Sequence, residues 1–191
     1  MVIFLGTLAG TILAFGGKVA ITRLSSTEIF GVFSICLGAA GLMSLVANFG
    51  LSIGLARYMA FFLGKGDTCS ARAVMLRITR IGLVAAMIMC GIFHVLSENF
   101  GSRIFHGIPG IGFLLGIVSW VIPFSAFLDM VVGIGRGHGD GLPKVLFLDS
   151  ARNLLFILVL WMYAASGLTE TNVVWAYVLS GGMAAALAYG Y

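Results

Sequence analysis

The stretch IGFLLGIVSWVIPFSAFLDMVVGI, residues 111–134, holds one ionisable side chain, Asp129, in 24 positions. At a helical rise of about 1.5 Å per residue it extends about 36 Å, enough to cross a hydrocarbon core about 30 Å thick. Its apolar residues form an uninterrupted run and do not alternate with polar ones, which argues against a membrane β-strand.

Working outward, five more runs of this kind occupy residues 2–21, 29–50 (with an extension to about 62), 78–96, 145–165 and 172–191. The connections TRLSSTE, 64–80, SENFGSRIFHGIPG, RGHGDGLPK and SGLTET carry the Gly, Pro, Ser and charged residues expected where a chain leaves the bilayer. Composition agrees. The chain is 60% hydrophobic and 9% charged, whereas a globular domain carries about 25% charged residues to keep its surface in water. The 27 glycines suit close-packed membrane helices rather than disorder. Cys36, Cys69 and Cys90 form no CxxC pair, so neither a disulfide framework nor a zinc site is indicated. The first apolar run has the length of a span and no basic leader, so it reads as a membrane helix and not a cleaved signal. The reading is an all-α membrane protein with about six transmembrane helices.

Basic residues alternate between connections. The second connection has Arg57, Lys65, Arg72, Arg77 and Arg80 within it or at its ends, and the fourth has Arg136 and Lys144, with Arg152 just beyond. The first and third hold only Arg23 and Arg103, and the fifth none. By the positive-inside rule this places both termini on the cytoplasmic side of a cell (inner) membrane. Neither the first nor the last run has a polar flank, so the chain is expected to be one lobe of a larger protein. A free-standing six-helix protein is the alternative.

The first third carries ITRLSSTEIFG, residues 21–31, and LVANFGLSIGLARYMA, residues 45–60. Thr22, Arg23, Leu24, Glu28, Phe30 and Gly31, then Phe49, Gly50, Leu51, Arg57 and Tyr58, resemble the amino-terminal region of polysaccharide or oligosaccharide flippases. These are O-antigen-type, MATE-like transporters of lipid-linked sugars. VGIGRGHGDGLPKVLFLDSARNLL, residues 132–155, is similar to their glycine-rich turn and the arginine that follows it. Two departures stand out: Ser25, Ser26 and Thr27 replace a usual Gly-Pro turn, although Ser26 or Thr27 can cap the next helix. The family also has about twice as many helices, in two lobes. The resemblance therefore implies the amino-terminal six-helix lobe of a MOP-type transporter, the carboxy-terminal lobe being absent from this sequence. Transporters built from repeats bind substrate between their halves, so a second lobe in cis or an equivalent subunit is an expected partner.

The implied substrate is a polyprenyl-pyrophosphate-linked oligosaccharide, an anion moved by alternating access. Passing it through lipid calls for cations facing a water-filled cavity, since charge in hydrocarbon is costly. Lys18 and Arg23 near the outer end of the first span, Arg57 late in the second and Arg152 in the fifth are the candidates. Against this stands snorkelling, in which long side chains reach headgroups and membrane lipids are the only partner. Asp129 is the deepest acid. Pro123 precedes it and is expected to kink the helix by freeing the carbonyl of Ser119. Ser125 lies one turn from Asp129 on the same face, and the two are a candidate site for a coupling proton or Na⁺. A structural pair of Asp129 with Arg136 or Arg152 is the other reading.

Gly6–Gly10, Gly50–Gly54 and Gly112–Gly116 are GxxxG spacings that suggest tight packing, and Ser180, Gly181 and Gly182 suggest a hinge. The glycines at alternate positions from 133 to 141 follow a membrane helix and lack a P-loop ending, so they read as a flexible inner loop. His94 and His106 are too far apart to indicate a metal site. The GDG and ARN of residues 139–153 faintly resemble a CDP-alcohol phosphotransferase motif, but no acids follow to hold Mg²⁺. No enzyme activity, cofactor or nucleic-acid partner is expected. Drug-exporting and lipid II-flipping transporters of the same superfamily, and a non-transporting membrane subunit, remain the alternatives.

Overall fold

In the computed structural model of the chain, which describes residues 2–104, 108, 110–164 and 167–190, the apolar runs are helices and no strand occurs among the described residues. His106 lies outside them. Six helical segments are long and apolar enough to cross a membrane. Large apolar side chains cover the outside of the bundle: Phe4, Phe15, Leu45, Val95, Trp161 and Met162 are all exposed. Such a surface has lipid, not water, as its natural solvent.

The first span is α1, Val2–Leu24. A tight turn leads to α2, Thr27–Asn48, whose N-cap is Ser26, its hydroxyl accepting from the Ile29 amide at 3.3 Å. The second span does not run straight to 62. It breaks at Phe49 (φ 44°) and Gly50 (φ 75°) and resumes as α3, Leu51–Gly64. Two consecutive left-handed residues cannot be part of a right-handed helix, and the Phe has to bear a conformation glycine takes freely. Gly50 and Gly54 have open space where a side chain would go, so this pair packs no neighbour; Gly50 belongs to the break and Gly54 lies within α3.

The third span, α4, covers Thr68–Ile104, 37 residues. The basic stretch expected as a loop is thus helical from Thr68 onward. Its outer turns bury their apolar side against α3, and periodicity alone had assigned only the lipid-spanning part. The fourth span is two helices, α5 (Ile111–Val118) and α6 (Val121–Gly137). The break falls at Ser119–Trp120, before Pro123. The carbonyl of Ser119 is not free, for it accepts from the Ile122 amide at 3.0 Å. Pro123 sits in the first turn of α6, where a missing N–H costs nothing because that amide has no partner within the helix.

The fifth span opens with a π-helical segment, Lys144–Ala151, and continues as α7, Arg152–Ala164. The sixth is α8, Glu170–Tyr189, capped by Thr169. It is helical through Ser180, Gly181 and Gly182 without interruption.

The fourth span is the axis of the bundle. Sixty-one per cent of its apolar window is buried, against 11% for the first span. Glycines set the spacing of its neighbours. A Cβ at Gly133 would stand 2.7 Å from the carbonyl oxygen of Ser52, and one at Gly137 would stand 2.7 Å from Met59. The first glycines of the expected inner loop are therefore helical and buried, a GxxxG face of α6 on which α3 lies. On the other side α1 meets the π-helical segment through Gly6 and Gly10, with Val145 and Asp149 filling the missing side-chain space.

Candidate functional site

One polar seam inside the bundle lies between α2 and α6. Ser125 donates its hydroxyl to Ser44 at 3.1 Å, and Asn48 donates its amide to Asp129 at 2.8 Å. Both rungs join residues 81 positions apart, so the helices run parallel and the rungs are one turn, about 6 Å, from each other. Asn48 is also the last residue of α2, and its side-chain oxygen accepts from the Ser52 amide across the break at 3.4 Å. The carboxylate is thereby tied to the one place where the second span changes direction.

Neither Arg136 nor Arg152 reaches Asp129 within ion-pair distance, although both lie close enough for their charge to act on it. Arg152 begins α7, immediately after the π-helical segment. Its guanidinium bonds the hydroxyl of Tyr177 and lies over that ring at 4.7 Å from the centroid. Tyr177 in turn closes a three-ring cluster with Phe33 and Phe156, centroids 5.5–5.8 Å apart. The Nε of Arg152 is buried and has no hydrogen-bond partner. Nearby, Lys144 and Asp149 form an ion pair at 3.5 Å, and Asn153 donates to the carbonyls of Asp149 and Gly10.

The four candidate cations do not come together in this bundle. Lys18 and Arg23 are exposed on α1, and Arg57 is exposed on α3, toward the opposite end of the bundle; Arg152 alone is partly buried. Helical phase explains this: Gly17 and Ile21 take the inward face of α1, leaving Lys18 outward. Ser125 and Asp129 occupy the seam described above. Pro123 is buried at the start of α6, and Gly182 lies beneath the ring of Phe124, with Gly181 near the Cβ of that residue.

A second polar node marks the break in the fourth span. His94 of α4 bonds the carbonyl of Gly116 at 3.0 Å, and Ser119 donates to that same carbonyl at 2.6 Å, with Cys90 3.8 Å from the Ser119 hydroxyl. These groups satisfy the backbone that the break exposes. No cluster of metal ligands occurs among the described residues. A surface groove of about 380 Å³ between α6 and α8 is apolar, lined by Trp120, Phe124, Trp175, Leu179 and Met183.

Sequence reasoning passed over Ser44, Asn48 and Tyr177. The first two carried a usable signal. They are a Ser–Asn pair four apart in one apolar run, matched by a Ser–Asp pair four apart in another. Tyr177 carried none, since its partner is set by how α7 and α8 cross. Comparison with protein-family models, with curated proteins and with solved structures returns no match.

Proposed function

We propose that this chain is the six-helix lobe of a transporter that carries a polyprenyl-pyrophosphate-linked oligosaccharide across a cell membrane by alternating access. In this reading Arg152 meets the anionic headgroup, Asp129 with Ser125 binds the coupling proton or Na⁺, and a second lobe completes the cavity. Both termini are cytoplasmic.

One observation carries the proposal: Asp129 and Arg152 are each tied to an interruption of a membrane helix, Asp129 through its donor Asn48 and Arg152 in its own span. Asp129 is held by the last residue of α2 before the Phe49–Gly50 break, and Arg152 follows a π-helical segment. Transporters place substrate and ion sites where membrane helices are interrupted, because freed backbone and small local rearrangements serve both binding and movement. Arg152 also has a buried N–H with no acceptor, which a phosphate oxygen would satisfy. The residues that resemble the flippases supply the substrate class.

The test is restoration of surface-polysaccharide export in a strain lacking its flippase, with membrane insertion checked by immunoblot. Arg152→Gln and Asp129→Asn should each reduce export at least tenfold while insertion stays normal. Normal export in both variants would refute the site. Failure of the unaltered chain to support export, even with a second lobe supplied, would shift the reading to a non-transporting membrane subunit.

A further inference from the structure

The second span, at 38 residues, and the helix of the third, α4 at 37, are the longest, and they are joined by a short turn at residues 65–67. Gly82 of α4 lies against Met130 and Leu51, and Met59 lies against Gly137, the last residue of α6. Five residues of α3 therefore continue beyond the end of α6, about 8 Å. The matching turns of α4 rise beside them.

The charge of the chain is concentrated here. Residues 51–80 hold Arg57, Lys65, Arg72, Arg77 and Arg80 against Asp67 alone, a net of +4, which equals that of the whole chain. All five basic side chains are exposed and, among the described residues, none is in an ion pair. Asp67 is engaged elsewhere, as cap of α4, accepting from the Ser70 amide at 3.0 Å. Apolar groups are interleaved with the cations. Ile53, Arg57, Phe61 and Lys65 follow one another at four-residue steps on the exposed face of α3, and Lys65 stacks on Phe61 at 4.2 Å. On α4, Arg72, Leu76 and Arg80 repeat the pattern.

We propose that this helical hairpin docks on the anionic phospholipid headgroups of the bilayer from which it emerges. Projection and chemistry agree on that occupant. The headgroup layer is about 5–8 Å deep on each side of the hydrocarbon. Unpaired cations within a Debye length of a negative surface, about 8–10 Å, are drawn to it. The interleaved aromatic and aliphatic groups enter the boundary between headgroups and chains.

Cys69 lies exposed near the tip, whereas Cys36 and Cys90 are buried. A fluorophore on Cys69, in the full chain with one copy per nanodisc, reports the approach of the hairpin through quenching by headgroup-nitroxide lipid. In discs with 30% phosphatidylglycerol, quenching should be at least twice that in pure phosphatidylcholine. It should drop to the neutral-lipid level in about 0.5 M salt, where screening is short-ranged. Arg72→Gln with Arg77→Gln should abolish the difference, and Arg72→Lys with Arg77→Lys should preserve it. Equal quenching in both lipids would overturn the proposal, as would a difference that survives the glutamine substitutions. Quenching that changes only when two copies share a disc would assign the surface to a second copy of the chain and likewise overturn it.

Discussion

The α2–α6 seam and the α3–α4 hairpin both interrupt an apolar chain with polar groups, and they treat charge in opposite ways. In the seam one carboxylate is spent on one donor, Asn48, and is enclosed by helices that approach closely. In the hairpin five cations point outward with no ion-pair partner among the described residues. The first arrangement is possible only where each polar atom inside the bundle finds a partner, since water is not there to supply one. The second is possible only where solvent or headgroups do. The exposed charges of the hairpin thus lie at a surface, and the enclosed carboxylate of the seam is held by a neighbouring helix.

The contrast breaks most visibly at Asn48. Asn48→Leu leaves the Asp129 carboxylate without its donor, at a cost of about 1–3 kcal/mol for an unsatisfied buried group. The hairpin substitution Arg72→Gln should stay within about 0.5 kcal/mol, as surface changes do. Reversible unfolding in mixed micelles measures both. Equal effects would mean that the seam hydrogen bond contributes no more than an exposed charge.

Gly137 joins the two regions, and its smaller effect sharpens the comparison. Gly137→Ala puts a methyl 2.7 Å from the Cβ of Met59. Relief requires α3 to move away from α6, costing about 1 kcal/mol, the low end of the overpacking range. The movement should also change the reach of the hairpin, read as altered quenching at Cys69, while the Asn48–Asp129 rung persists. Unchanged stability and unchanged quenching together would show that α3 does not rest on this glycine.

The helical membrane architecture could be read from the sequence because it depends on length and hydropathy, which are sums over many residues. Residues 111–134 announced a span although the fold divides them at Ser119–Trp120. That division depends on a hydrogen-bond pattern around His94 and Gly116, and the partner comes from another helix. The same limit applies to the site. Asp129 stood out because an acid in an apolar run is rare, but its donor could be found only by knowing that α2 and α6 run side by side in register. The cations show the converse. Lys18 and Arg152 are each a basic residue in an apolar run, and only packing separates the exposed one from the partly buried one. The alternate glycines at 133–137 looked like a loop for a related reason. Without a neighbour in view, a glycine that admits another helix cannot be told from one that frees the chain.

The smallest effect belongs to the hairpin tip and tests whether its one acid is structural. Asp67 receives hydrogen bonds from the side chain and then the amide of Ser70, which hold its carboxyl below the usual carboxylate range. A carboxyl with a depressed pKa in the folded state contributes its stabilisation above the unfolded pKa and loses it as pH falls through the folded value. The start of α4 should therefore be fully capped at neutral pH and fray in acid. Amide exchange at Ser70 and Ala71, corrected for intrinsic rates, should accelerate a fewfold as pH drops below about 4, near the ordinary aspartate pKa, with the seam amides unaffected. Asp67→Asn keeps a capping oxygen but has no proton to gain, so it should flatten that pH dependence. If the wild-type chain shows no acceleration, the cap does not depend on the charge of Asp67, and the only acid in the hairpin serves as a counter-charge to its five cations.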